Sequence, residues 1–206
     1  SQAVLARGTS NPGSADPSWA GTLTVTAMQK VPTSGTTAVA EVHGSGGGVL
    51  ASVQVNEAEA KSIGVVRAGI QPDVNLIIGG NVTIYAFTDS CQRAYADGYN
   101  GGIGAANSNH AKAVSDNSTE AYLQKGVTIS AYQLEANAGG LDDNYAEAVA
   151  GSGGGLTLVL VEAETYDNSN SLVYLGSLER SSYKAGNMSI KVEKLRINSY
   201  HNARFN

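Results

Sequence analysis

The side chains able to do chemistry are few, and their spacing does not assemble them. His43, His110 and His201 are the only imidazoles, and no His-x-x-x-His or His/Asp/Ser spacing surrounds them. His43 stands directly before a glycine cluster and reads as a corner residue. Paired carboxylates are what polysaccharide cleavage needs. Asp142-Asp143, Glu57/Glu59 and Glu162/Glu164 supply candidates. The two glutamate pairs, however, recur at the same place in two copies of a repeat. A feature that repeats is more often structural than catalytic, because an active site is needed once. Asp142-Asp143-Asn144 and Asp167-Asn168 offer oxygen ligands to one Ca²⁺. Neither a tandem GGxGxDxUx repeat nor an EF-hand loop accompanies them, and both read as turn caps. No catalytic residue, metal ligand or cofactor site is therefore expected, and the chain is not expected to be an enzyme.

Three further features have bland readings. Cys91 is the only cysteine, so an intrachain disulfide and a CxxC motif are excluded, and it reads as a small buried residue. Asn81-Val-Thr, Asn117-Ser-Thr and Asn187-Met-Ser fit the N-glycan acceptor pattern. Asn81 and Asn187 head strands, which explains their hydroxyl partners, so Asn117, read as a turn residue, is the best acceptor. Gly44-Ser-Gly-Gly-Gly48 is a poor phosphate loop, since no Gly-Lys-Ser/Thr opens a helix after it.

What must position these residues is a narrow, strand-rich framework. Only 15% of the 206 residues are charged, against roughly 25% in ordinary soluble domains. Ala, Gly, Ser and Thr dominate, with Val and Ile spread between them, which suits strands and tight corners better than helices. The net charge of −5 argues against a nucleic-acid partner. No run approaches the ~18 apolar residues of a membrane helix. The chain opens at Ser1 without a charged and apolar leader, as a mature secreted chain or a fragment does.

A repeat organises the middle. Leu23-Thr-Val-Thr-Ala27, Val82-Thr-Ile-Tyr-Ala86, Val127-Thr-Ile-Ser-Ala131 and Met188-Ser-Ile-Lys-Val192 all alternate with period two. Leu23/Val25/Ala27 and their counterparts point inward, and Thr24, Thr83, Thr128 and Ser189 share an outward position and are expected on one line. Between them, Gly44–Gly48 precedes an alternating run and Glu57-Ala-Glu-Ala. Gly151-Ser-Gly-Gly-Gly155 precedes another and Glu162-Ala-Glu-Thr, with a weaker copy at Asn100–Gly104. With solenoid coils of roughly 20 residues, each unit would be two or three coils. Asp89-Ser90, Asp116-Asn117-Ser118, Asp142-Asp143-Asn144 and Asp167–Asn170 read as polar turns. The expected fold is all-β, a parallel β-helix (β-solenoid), with a β-sandwich as the alternative. Residues 1–20 read as an N-terminal arm, 21–192 as the solenoid, and 193–206 as a basic C-terminal cap or docking segment.

The pairing of GSGGG, an alternating apolar run and EAEA (Gly44–Ala60, Gly151–Thr165) with V-T-[VI]-x-A strands (Asn81–Ala86, Val127–Ala131) resembles the repeats of filamentous haemagglutinin-like adhesins and large autotransporter passengers. The resemblance implies a bacterial surface protein, with parallel β-helices that adhere or build a fibrous scaffold, and no catalytic residues.

Surface and ends then carry the functional expectation. In Leu156-Thr-Leu-Val-Leu-Val161, Leu156, Leu158 and Leu160 are expected inward, leaving Thr157, Val159 and Val161 outward and in need of cover; near Val49 the outward set is Leu50, Ser52 and Gln54. Residues 1–179 carry seven Lys/Arg against 17 Asp/Glu, while residues 180–206 carry six Lys/Arg against Glu193 alone. The expected protein is a secreted structural subunit, extracellular or at the cell surface, that self-associates head-to-tail or laterally into a fibre. Thr157, Val159, Val161, Arg196, Arg204 and Phe205 are its candidate contacts with copies of itself. The alternatives are an adhesin module that binds a glycan or host protein through Tyr95, Tyr99, Tyr132 and Tyr145 and, behind it, a polysaccharide-degrading enzyme. No membrane insertion is expected.

Overall fold

A computed structural model describes residues 2–5, 21–33, 35–176 and 188–205. All of its regular elements are strands: β1 (Gln2–Leu5), β2 (Leu23–Gln29), β3 (Ala38–Gly47), β4 (Ala51–Ile70), β5 (Asn75–Ile77), β6 (Asn81–Gly101), β7 (Gly104–Leu123), β8 (Thr128–Gly153), β9 (Leu156–Asp167), β10 (Asn170–Leu175) and β11 (Ser189–Phe205). Every pairing is parallel. The fold is all-β, in two parallel sheets.

One sheet runs β1, β4, β7, with β9 and β10 end to end beyond β7. The other has β2 and β3 end to end on β6, then β8, then β11, with β5 lying ahead of β6 on β8. The chain alternates between sheets and advances one layer per round. Ala51 pairs with Gly104, and Gly104 with Leu156, steps of 53 and 52 residues. One layer is therefore two strands of about 20 residues, not the two or three short coils expected for each unit. At about 3.3 Å per residue such a strand spans roughly 66 Å.

The long step also sorts the repeat. Leu23 pairs with Val82, and Thr24 with Thr83. Thr128 pairs with Ser189. Thr83, however, stacks on Glu135, while Thr128 sits beside Asn75 of the short strand β5. The expected line of four hydroxyls is thus two separate pairs. The inward assignments hold: Val82, Ile84, Ala86, Val127 and Ile129 are buried, and Met188, Ile190 and Val192 pack against them.

Glycines set one corner. Gly47, Gly101 and Gly153 share one register, and the following Gly48, Gly102 and Gly154 carry the chain from one sheet to the other. Gly48 N–H donates to Gly101 O at 2.9 Å and Gly102 N–H to Gly153 O at 3.0 Å. A Cβ on Gly102 would lie 2.5 Å from Gly48 O, so layers this close at the corner exclude any side chain.

The two sheets face each other, and their interior changes character along the strands. Val66, Ile70, Ile84, Leu123, Ile129 and Leu134 belong to an apolar band. Next comes a polar band: Thr88, Ser90 and Gln92 from one sheet meet Ser115, Asn117 and Thr119 from the other, with Asp142 and Asn144 one layer on. Ala58, Ala60, Ala94, Ala96, Ala111 and Ala113 form a band of methyl groups. Gln54, Asn56, Asn100, Asn107 and Asn109 make a second polar band near the glycine corner.

Three of the four expected polar turns are therefore mid-strand. Asp89-Ser90, Asp116-Asn117-Ser118 and Asp142-Asp143-Asn144 lie inside β6, β7 and β8; only Asp167–Asn170 falls at a strand junction. Their side chains satisfy one another across the interior instead of capping turns: Asn117 Nδ2 donates to Ser90 Oγ at 3.0 Å and to Asp142 Oδ1 at 2.9 Å. Asn117 is buried, which removes it as a glycan acceptor. Asn187 lies outside the described residues.

The polar interior also reverses the expected facing at the corner. Ser52, Gln54 and Asn56 turn inward, leaving Val53 and Val55 outside, with Val53 79% exposed. In register with them, Thr157, Val159 and Val161 stack on the buried Ala105, Asn107 and Asn109, so they lie on the inward line. Leu156, Leu158 and Leu160 face outward, Leu156 77% exposed. The sequence suggests the opposite because it is read with an apolar interior in mind.

Candidate functional site

Three strands bring one titratable cluster together inside the fold. Asp142 lies on the inward line of β8, Asp167 ends β9, and His201 lies on β11. His201 pairs in register with Gly140, and a Cβ there would collide with the imidazole Nδ1 and come within 3.2 Å of Ser171 Oγ. Glycine thereby makes the room the ring occupies. His201 Nε2 sits 2.7 Å from Asp167 Oδ2 and 3.4 Å from Asp142 Oδ2. The other oxygen of each carboxylate is held. Asp142 Oδ1 accepts from the Ser90 hydroxyl and from Asn117 Nδ2, and Asp167 Oδ1 accepts from Ser169 N–H at 2.8 Å and from Ser115 Oγ at 3.1 Å. Burial pushes the Asp167 carboxyl up, but the Ser169 backbone N–H and His201 outweigh it and hold it below the usual carboxylate range.

Beside this cluster a cleft of about 530 Å³ is lined by Asp89, Cys91, Arg93, Asp142, Asp143 and Arg204, among others. Alternation splits the Asp142-Asp143 pair: Asp142 turns in, while Asp143 faces Arg93 at 3.9 Å. Burial, reinforced by Asp142 and Asp143 and opposed by Lys30, raises the Asp89 carboxyl. Burial also raises the Cys91 thiol, and Cys91 is a buried free cysteine, as expected.

The two glutamate pairs sit on the outer face of the first sheet in a charge ladder. Glu57, His110 and Glu162 are successive in register, as are Glu59, Lys112 and Glu164. His110 Nε2 lies 3.5 Å from Glu164 and Nδ1 3.9 Å from Glu57; Lys112 lies 3.8 Å from Glu59. A middle rung of His110 and Lys112 between acidic rungs avoids like charges directly opposite each other. His43, at the glycine corner as expected, contacts Asp97 at 2.6 Å.

The six candidate self-contact residues come to one end of the layer stack. Thr157, Val159 and Val161 lie on β9; Arg196, Arg204 and Phe205 lie on β11, opposite Glu135, Asp143 and Asn144. Among the described residues each strand pairs on one side only, β9 with β7 and β11 with β8. Residues 193–205 are thus the greater part of one edge strand. β9 also adds Glu162, Glu164 and Asp167 to this layer, so its charge is mixed. Of the tyrosines, Tyr99 and Tyr132 are exposed, whereas Tyr95 and Tyr145 pack on each other at 5.4 Å with Arg93 over Tyr145.

The inner cluster is invisible to motif reading, since its members are 25 and 34 residues apart. The available signal was the layer step, which superposes Ser90 on Asp142 and Ser115 on Asp167. Comparison with protein-family models, curated proteins and solved structures finds no match for this chain.

Proposed function

We propose that the chain is a β-solenoid subunit that self-associates head-to-tail into a fibre outside the cell or at its surface. The observation that carries this reading is the open end of the stack. Val159, Val161, Leu195 and Ile197 occupy inward positions, yet Val159 is 42% and Leu195 50% exposed because no further layer among the described residues covers them. Unpaired strand edges beside uncovered apolar side chains are a template for another copy. The opposite end offers matching edges, with β2 and β3 paired only to β6 among the described residues. A contact between unlike ends does not close, and therefore propagates. The outward Val53, Val55, Leu156, Leu158 and Leu160 add a lateral face for a second copy. The resemblance to fibrous surface adhesins points the same way.

Electron microscopy and light scattering across protein concentration test this. Filaments that bundle side by side are expected, lost in Val161→Lys/Ile197→Lys, which places charge on the open end. A wild-type chain that stays monomeric at every concentration overturns the reading.

A second reading, polysaccharide cleavage, is favoured by the cleft that gathers Asp89, Asp142 and Asp143, with the raised Asp89 carboxyl suited to general acid catalysis. Release of reducing ends from a polysaccharide panel, abolished in Asp89→Asn, would support it.

A further inference from the structure

We propose that Asp142, Asp167 and His201 form a binding site for a divalent transition-metal ion of the zinc type. Three ligand atoms of suitable chemistry, Asp142 Oδ2, Asp167 Oδ2 and His201 Nε2, lie within 4.8 Å of one another. Two carboxylate oxygens and an imidazole nitrogen are a donor set of the kind zinc accepts.

Independent observations point to a ligand. Asp142 is 2% exposed, and its Oδ2 is buried without a hydrogen-bond partner among the described residues while facing His201. A buried carboxylate oxygen is costly unless something neutralises it. One imidazole cannot balance two carboxylates, and among the described residues the nearby cations stand by Asp143 instead: Arg93 pairs with it, and Arg204 is opposite it in register. The outer shell is already built. Ser90 and Asn117 hold Asp142 Oδ1, and Ser115 and Ser169 hold Asp167 Oδ1, which leaves each Oδ2 aimed at the shared point. His201 Nδ1 and Ser171 Oγ, both buried without partners among the described residues, face the same space beside Gly140, where the hydroxyl can accept a hydrogen bond from the Nδ1–H of a metal-bound ring.

The spacing is close to what a metal needs. Metal–ligand bonds of about 2.0 Å at tetrahedral angles put ligand atoms roughly 3.3 Å apart. The His201–Asp142 separation of 3.4 Å fits that value, and the 2.7 Å His201–Asp167 hydrogen bond would open by a small side-chain rotation. Three protein ligands leave a fourth position, and Asp142 also lines the 530 Å³ cleft from which water would reach it.

The test uses the full chain stripped with chelator and titrated with Co²⁺, read by visible absorption, and with Zn²⁺, read by calorimetry. One equivalent of Co²⁺ is expected to give d–d bands that Zn²⁺ abolishes. His201→Gln should weaken binding by more than the roughly 10- to 100-fold that outer-shell changes cost, and Ser90→Ala by about that range. His110→Gln, in the partly exposed Glu162/Glu164 cluster on the outer face, should leave both signals unchanged. Circular dichroism identifies any variant that fails to fold, and Ser115→Ala then replaces it. No saturable binding by the wild type, or wild-type affinity in folded His201→Gln, overturns the proposal.

Discussion

Asn56 donates through Nδ2 to Asn109 Oδ1 at 2.8 Å, one layer apart and in register, where most folds would place an apolar pair. The same Asn56 amide donates to Asp97 O at 3.1 Å, and Asn109 donates to Val149 O. Each amide thus bridges strands within a sheet and reaches the facing sheet, which ties layer to layer and sheet to sheet. Asn109→Ala should cost about 1–3 kcal/mol, because it leaves the amide of the buried Asn56 a partner short and removes the side-chain donor to Val149 O. Chemical denaturation measures it. A change below about 0.5 kcal/mol would mean the ladder is dispensable.

The alanine band carries the opposite expectation. Ala94 and Ala111 are fully buried between the sheets, within a cluster made largely of alanine. Ala111→Leu has no room to enter, and overpacking of this kind costs about 1–3 kcal/mol. In the apolar band the sign of the volume change reverses: Ile84→Ala opens a cavity and should cost about 2–5 kcal/mol. Thermal denaturation of both variants distinguishes a closely fitted alanine layer from a loose one, which would accept leucine.

Alkali should weaken the fold through Tyr174. Its ring stacks on Tyr122 at 5.3 Å, and burial, reinforced by Glu120 and Tyr122 against the opposing Arg67, pushes its phenol up to about 12. The folded state therefore holds this proton more tightly than the unfolded chain, whose phenol titrates near 10. The associated stability is complete below about pH 10 and is lost as pH rises toward 12. Tyr174→Phe should flatten that part of a Tm-against-pH profile. An unchanged profile would assign the loss to other groups.

How much of this was legible follows from which rule each residue obeys. Val82-Thr-Ile-Tyr-Ala86 alternates with an apolar inner set, and the period-two rule reads it correctly. Ser52-Val-Gln-Val-Asn56 alternates just as regularly, but its inner set is polar, so the same rule reads it inside out. Asn117 and Asp142 have the composition of turns, yet they sit mid-strand, where the facing sheet, half a layer step on, gives them partners 25 to 27 positions away. Single-strand patterns cannot show such partners; only the layer step does. The irregular repeat spacing hid that step, because the Val127 strand stacks on β5 and the Leu134–Ala138 stretch takes the place beside Val82.

The open end and the apolar lateral face should separate by mutation. Leu158 and Leu160 point outward from β9, whereas Val161 in the same strand, and Ile197 on β11, lie on the inward line at the uncovered end. Leu158→Lys/Leu160→Lys should leave filament growth intact and abolish side-by-side bundling, since it charges only the lateral face. Val161→Lys/Ile197→Lys should stop growth itself. Because β9 places Glu162, Glu164 and Asp167 in the same layer as the basic β11, end charges largely cancel. Growth should therefore change little between low and physiological salt, unlike an association steered by opposite charges. Turbidity and negative-stain imaging over a salt series provide the measurement. Strong loss of filaments at physiological salt would move the driving force from apolar and backbone edges to the charges of β11.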